Sequence, residues 1–474
     1  MTDMKERAAR DKVFGLLRAS GAQMVDVKFS GILGRWHHIT LPSDQFTDRI
    51  FEDGVPFDGS SIPGLTRVES SDLLLLPDPE SSFLDPFKQV PTLSIVADVA
   101  EAETKTPFAR DPRSVARRAC AHLRATDLAD DLLMRPEFEF YVFEYVRYRN
   151  RSFASGYVVE SAEAPWNTYR QPADGYQPAT VNPRKGGYHA LPPNDSLDGL
   201  RTEISVRLKE AGIGVRYHHH ESGGAGQCEI EILPLPLLRA ADAVQLVKYF
   251  VRMAAQSHGR IATFMPKPIY NEAGSGMHVH QHMVKGGSSL FYDPDGWERL
   301  SPLALNYIGG LLTHAPALTA LTNPSTMSFK RLVPGFEAPV SRTFGTADRT
   351  AAVRIPKASR PRDDMRVEYR PPDATANIYL SLSAMLMAGL DGIKNGIDPS
   401  GFASQKGGGQ AAASLPGTLD EALAALEADH GFLLQGGVFT EDLLEDWTRL
   451  KRVREIEELR RRPHPYEFYL YLDA

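Results

Sequence analysis

Four short segments place charged or imidazole side chains at every second position, with apolar residues between: EFEFY at 137–141, CEIEI at 228–232, GMHVHQH at 276–282 and RVEYR at 366–370. In an extended strand, alternate side chains share a face. Glu137 and Glu139 therefore share one side, as do Glu229 and Glu231, His278, His280 and His282, and Arg366, Glu368 and Arg370. Taken singly, each segment reads as a strand with its polar side in water. Taken together, they gather more carboxylates than one concave surface holds without compensating charge, because like charges at short range repel strongly. Glu137, Glu139, Glu221, Glu229, Glu368 and His278 are oxygen and nitrogen donors suited to Mg²⁺ or Mn²⁺, and the imidazole favours Mn²⁺ as a competitor. Strands folded with these faces inward imply a metal site.

The chain is long enough to bury such a face. It has 474 residues, room for two to four domains at roughly 150 residues each. Its 42% hydrophobic and 24% charged residues match an ordinary globular protein and exclude collagen-like and disordered classes. The net charge of −7 gives no electrostatic reason to expect nucleic acid or an anionic membrane as partner. Cys120 and Cys228, with no CxxC pair, exclude a disulfide framework and a cysteine zinc site. The charged N-terminal stretch has no apolar core behind it, so it is not a secretory signal. The longest aliphatic run, 73–76, is far below the roughly 20 residues of a membrane span. The expected location is the cytoplasm.

Residues 3–19 read as an amphipathic helix with Val13, Phe14, Leu16 and Leu17 on its apolar side. Short β-rich runs at 24–29, 36–41, 73–76 and 93–99 follow, separated by Gly/Pro turns such as GVPFDGSSIPG. They predict a small sheet-rich domain over 1–108. Asp111 suits a helix N-cap and Pro112 the first helical position, opening a larger domain over 109–474. The expected fold class is α+β. Residues 150–200 show no period and read as a long functional loop. Residues 240–260 and 375–394 read as helices, 398–418 as an exposed Gly-rich loop, and 441–462 as a solvated helix. The final PHPYEFYLYLDA is apolar enough to need something to dock on, such as another subunit.

A second group is basic. Arg331, Arg349, Arg354, Arg366 and Arg370 lie close in sequence, near Lys330 and Lys357, interleaved with Val333, Phe344, Val353 and Ile355. Guanidinium forks match phosphate and carboxylate oxygens in pairs. Divalent cations with converging arginines describe phosphoryl transfer. No GxxxxGK loop and no GxGxxG after a strand are present, which excludes those two nucleotide folds and leaves ATP open. Asp58 sits in the turn FDGSS, where a turn cap and a loop reaching into a site fit equally. Ser60 and Ser61 have no His/Asp partner at a recognisable spacing, so a nucleophilic serine is not indicated. His218, His219 and His220 precede Glu221 and read either as a surface run or as site lining.

Several longer strings resemble the class I glutamine synthetases of bacteria: FDGSSI (57–62), RPEFEF (135–140), HHHE (218–221), GSGMHVH (274–280), KRLVPGFEAPV (330–340), VRIP (353–356) and AMLMAGLDGIKN (384–395). The resemblance implies an N-terminal β-grasp domain and a large catalytic domain of the glutamine synthetase/guanido kinase type, whose curved antiparallel sheet lines the site. It implies a dodecamer of two stacked hexameric rings, with each site between neighbouring subunits. Carried over by motif, Glu139, Glu221 and Glu229 match one metal site. Glu137, His278 and Glu368 match a second, which coordinates the nucleotide phosphates. Arg349 and Arg354 match contacts of the transferred phosphoryl group, His280 and Arg366 nucleotide contacts, and Gly274, Arg331 and Arg370 glutamate binders. Glu337 matches a residue that closes the site and takes a proton from the nitrogen nucleophile. Asp58 and Ser61 of a neighbouring subunit, with Tyr188 and Glu221, match an ammonium pocket. The implied reaction joins ammonia to glutamate through γ-glutamyl phosphate, with ATP as phosphoryl donor.

The sequence departs from the family pattern in places. Ala273 replaces an Asn, Met327 and Phe329 replace an Asn and a Tyr, Arg216 stands where an acidic residue is usual, and His282 where Ser is common. Fewer polar groups suit a bulkier substrate. A γ-glutamylamide synthetase using methylamine, a polyamine or an aromatic amine is therefore the alternative. Retention of Asp58, Ser61, Tyr188 and Glu221 favours ammonium. A non-catalytic assembly protein would gain nothing from keeping all six presumed metal ligands. Residues 396–420 contain no tyrosine, so the adenylylation that many bacterial members receive there is not expected.

Overall fold

The computed structural model describes residues 2–66, 69, 71–168, 181–336, 338–357, 362–403 and 413–474. Helix α1 (Thr2–Ser20) covers a small sheet. Its strands are β1 (Met24–Ser30), β2 (Trp36–Pro42), β3 (Val55–Asp58), β4 (Asp72–Pro77) and β5 (Thr92–Glu101), in the order β2-β1-β5-β4-β3. The β1–β5 pair is parallel and the other neighbours on this path are antiparallel. Val25, Val27, Phe29, Ile95, Ala97 and Val99 pack with Val13 and Leu17 of α1 into a core of their own.

Helix α2 (Pro112–Ala125) starts where the sequence requires. The Asp111 carboxylate accepts from the Arg113 and Ser114 amides, and Pro112 takes the first helical position. The chain then runs through β6 (Asp131–Phe143), β7 (Tyr145–Arg151), β8 (Ala154–Glu160), α3 (Asp198–Glu210), β9 (Val215–His220), β10 (Gln227–Ile232), α4 (Leu237–Ser257) and β11 (Val279–Lys285). Beyond these lie α5 (Pro302–Thr313), β12 (Ser341–Thr346), β13 (Ala351–Ile355), β14 (Val367–Tyr369) and α6 (Ile378–Lys394). The second sheet is ordered β9-β10-β6-β11-β14-β13-β12, antiparallel except for the β12–β13 pair. Phe138 and Phe140 of its central strand β6 are fully buried, in one core with the apolar residues of α4 and α6.

Residues 150–200 are not a single loop. β7 and β8 pair as an antiparallel hairpin from Tyr145↔Glu160 to Arg151↔Ala154, and α3 opens at Asp198. Tyr148, Phe153 and Tyr157 are exposed on this hairpin. Largely exposed, with only Val146 and Val159 packed against a small core cluster, its strands lack the apolar alternation that a half-buried strand writes into its sequence. The apolar tail folds as a short helix (Pro465–Tyr471) capped by His464, with Phe468, Tyr469 and Leu472 exposed. Of the expected Gly-rich loop at 398–418, residues 404–412 lie outside the described residues. Among the described residues, no helix is long and apolar enough to cross a membrane.

Candidate active site

Strand register turns the four alternating segments into one continuous polar face. Glu229 lies opposite Glu139, and Glu231 opposite Glu137. His219 of β9 lies opposite Glu229. Across β11, His280 pairs in register with Arg135 on one side and Glu368 on the other, and Glu368 faces Arg354 of β13. The apolar alternates Phe138, Phe140 and Ile230 are fully buried. Each strand therefore gives one half of its pattern to the helices and the other to the shared face. A one-residue slip of any strand would reverse that assignment.

Two donor trios emerge. Glu137, His278 and Glu368 offer ligand atoms that all lie within 4.8 Å of one another, and so do His219, Glu221 and Glu229. His278 Nδ1 lies 3.2 Å from Glu137 Oε2, and His280 Nε2 lies 2.7 Å from Glu137 Oε1. Burial alone would raise the Glu137 carboxyl, but the His280 and His278 rings outweigh it and hold it well below the usual range. Burial, with Glu137, Glu139, Glu221 and Glu231 around it, pushes the Glu229 carboxyl well above that range. Carboxylate oxygens and imidazole nitrogens in this packing fit a hard divalent cation, which would relieve the repulsion recorded at Glu229. Glu139 faces Glu229, and its Oε2 accepts the Gly276 amide at 2.6 Å.

The arginines converge from the other side. Arg354 and Arg370 both donate to the fully buried Glu368 carboxylate. Burial raises that carboxyl, while Arg370 and His280 more than offset it and bring it to about 2. Arg331 is held by the Pro371 and Pro372 carbonyls at 2.7 and 3.3 Å, which sets its Nη2 3.4 Å from His278 Nε2. A Cβ on Gly276 would sit 2.2 Å from Arg331 Nη2, so this approach requires glycine. Arg370 Nε donates to the Arg349 carbonyl at 3.2 Å, and the Arg349 side chain is exposed on the turn before β13. Arg366 donates instead to the Asp364 carbonyl and carboxylate.

Two family profiles cover most of the sequence: the glutamine synthetase β-grasp domain matches residues 21–102, and the glutamine synthetase catalytic domain matches 109–471. The chain belongs to the glutamine synthetase family. As a member it is a ligase. It is 46% identical to the glutamine synthetase of Frankia alni over 98% of this chain and 99% of that one. It is 45% identical to that of Mycobacterium bovis with the same coverage. The fold matches the glutamine synthetase of Plasmodium falciparum with a TM-score of 0.90 at 24% identity, over 99% of this chain and 98% of that one. It also matches apo GmaS with a TM-score of 0.79 at 29% identity, over 97% and 99% respectively.

Other residues expected in a glutamine synthetase site are not all gathered here. Asp58 and Ser61 lie at the end of β3 in the other sheet, where the Asp58 carboxylate accepts from the Ser60 and Ser61 hydroxyls at 2.6 and 2.7 Å. Glu337 lies outside the described residues. Gly274 packs against Arg331, since a Cβ there would meet Arg331 Cγ at 2.8 Å. Tyr188 is half-exposed, stacked on His189 with centroids 4.2 Å apart, and borders an open cavity of about 440 Å³ also lined by Tyr217 and His219. Among the departures, the Ala273 carbonyl accepts the Tyr141 hydroxyl at 2.7 Å, and Phe329 is buried. Burial brings the His282 ring down to about 4. Arg135 was not singled out from the sequence, whereas His219 belongs to the histidine triplet read there as either a surface run or site lining. Arg135 sits two residues before Glu137 on the same strand face, so the alternation itself carried the signal.

Proposed function

We propose that this chain catalyses ATP-dependent ligation of ammonia to the γ-carboxylate of glutamate through γ-glutamyl phosphate, giving glutamine, ADP and phosphate. The observation that carries the reading is the pair of donor trios on the sheet face, flanked by Arg331, Arg354 and Arg370. Mg²⁺ or Mn²⁺ at Glu137, His278 and Glu368, and at Glu139, Glu221 and Glu229 with His219 beside them, would offset charge on phosphate oxygens. Arg354, Arg349, His280 and Arg366 orient the nucleotide and the transferring phosphoryl group. Arg331, Arg370 and Gly274 hold glutamate, so its γ-carboxylate is presented in line to the γ-phosphorus. The P–O bond to ADP breaks as the new acyl phosphate forms.

Ammonium is bound by Asp58 and Ser61 of a neighbouring subunit with Tyr188 and Glu221. Asp58 takes its proton, the free amine attacks the acyl carbon, and phosphate leaves. Glu337 takes the second proton and excludes water, which would otherwise hydrolyse the acyl phosphate. This requires a ring assembly in which β3 of one copy meets the large sheet of the next, a dodecamer of two hexamers in the cytoplasm. The placement of Asp58 and Ser61 on a separate sheet supports that requirement. The domain division at 108/109 is supported by β5 ending at Glu101 and α2 beginning at Pro112.

A second reading has its own observation. A 440 Å³ cavity beside Tyr188 offers far more room than ammonium fills, and its aromatic and imidazole lining suits an organic amine. Steady-state release of ADP with ammonium against a panel of methylamine, polyamines and aromatic amines separates the two. A higher kcat/KM with ammonium is expected, and a much higher value with an organic amine would transfer the assignment.

A further inference from the structure

The polar face contains a third donor trio. Glu137, Glu231 and His280 also offer ligand atoms within 4.8 Å of one another. Glu231 is wholly buried, and two guanidinium groups already hold it. Arg135 Nε lies 2.5 Å from Glu231 Oε1. Arg216 Nη1 lies 3.0 Å and 3.2 Å from its two oxygens. Arg135 is itself buried and faces His280 in register, whereas Arg216 reaches in from the edge strand β9 and lies over the Tyr217 ring at 5.1 Å. Asp364 is a weaker partner of Arg135, at 3.8 Å.

Two guanidinium groups supply the two positive charges that one divalent ion would bring. They remain protonated at any working pH. Arg216 donates to both Glu231 oxygens that a metal would need, and Arg135 adds a second buried positive charge at ion-pair distance, its Nε making no hydrogen bond. We propose that Arg135 and Arg216 act as a built-in dication at this third cluster, so that the site loads two divalent ions and not three. The inference rests on the two-cation reading above and adds the residues that fix the count. Its sharpest sequence signature is Arg216, a base at a position where an acid is usual. Exchanging acid for base there changes the local charge by two, the difference between attracting and repelling a third ion.

The test is a Mn²⁺ titration of the purified full chain without nucleotide, followed through the EPR signal of free aqueous Mn²⁺. Circular dichroism and subunit assembly verify the fold of each variant. Wild type is expected to bind two ions per chain. Arg216→Glu is expected to bind three, and Arg216→Glu with Glu231→Gln to return to two. Three ions in the wild type, or only two in a folded Arg216→Glu variant, overturns the inference. No tight Mn²⁺ in the wild type would instead overturn the two-cation reading, so the two failures are distinct.

Discussion

Glu368 shows how closely opposed charges are balanced at single residues. Its buried carboxylate holds Arg354 and Arg370 and lies within ligand distance of Glu137 and His278. Glu368→Ala removes a donor and takes the carboxylate partner away from Arg354 and Arg370. We expect kcat/KM to fall by at least about 10²-fold, with weaker Mn²⁺ binding and little change in far-UV circular dichroism; full activity in this variant would remove Glu368 from the metal set. His314 is a second balanced group, remote from the site. Burial pulls its pKa down, but hydrogen bonds to Asp429 at 2.8 Å and Asp391 at 3.0 Å outweigh this and raise it. A histidine raised above its unfolded value stabilises fully below about pH 6.5 and loses that contribution as pH rises through its folded pKa. The melting-temperature gap between wild type and His314→Gln should therefore be widest near pH 6 and narrow toward pH 9. A gap independent of pH would show that the ring serves packing alone.

Elements meet where the sequence leaves room for backbone. α5 and α6 cross at Gly310 and Gly392: a Cβ on Gly310 would lie 2.0 Å from the Ala388 carbonyl oxygen, and one on Gly392 2.2 Å from that of Asn306. Backbone cannot yield as a flexible side chain does, so Gly310→Ala should destabilise by about 1–3 kcal/mol, typical of overpacking. Urea denaturation measures this; an unchanged midpoint would mean the helices separate freely. Neither glycine stood out in the sequence, because a close crossing leaves no periodic trace. Asn377 caps α6 and also donates to the Ile32 carbonyl at 2.9 Å, tying this helix to the small sheet's β1–β2 turn. The polar strands were legible for the opposite reason: their alternation is extreme, and burial of one half is obligatory.

The two lobes are locked by a buried charge network. Arg113 on α2 donates to Asp242 of α4 at 2.9 and 2.8 Å, to Asp98 of β5 at 2.6 Å and to Asp78 beside β4 at 2.6 Å. Burial would raise the Asp78 carboxyl, but Arg113 and Arg117 bring it down to about 2. Arg113→Met leaves Asp78 and Asp98 to Arg117 and Asp242 to the Tyr379 hydroxyl, removing the cation buried between them, and should cost about 3–5 kcal/mol. Differential scanning calorimetry should show a lower transition; a melt matching wild type would show that apolar packing alone joins the lobes.

The sequence by itself determined the polar strands, the capped start of α2, the metal-type donors and the family pattern, because each is written in local alternation or in an unbroken string. The largely exposed hairpin at β7 and β8 was not legible, since strands that bury only Val146 and Val159 have little alternation to read. Only the tertiary structure decided which carboxylates share a cation position, that Arg135 and Arg216 hold Glu231, and that Asp58 sits on a different sheet. Those outcomes depend on register and on contacts between separate segments, and such pairing leaves no mark in either segment alone.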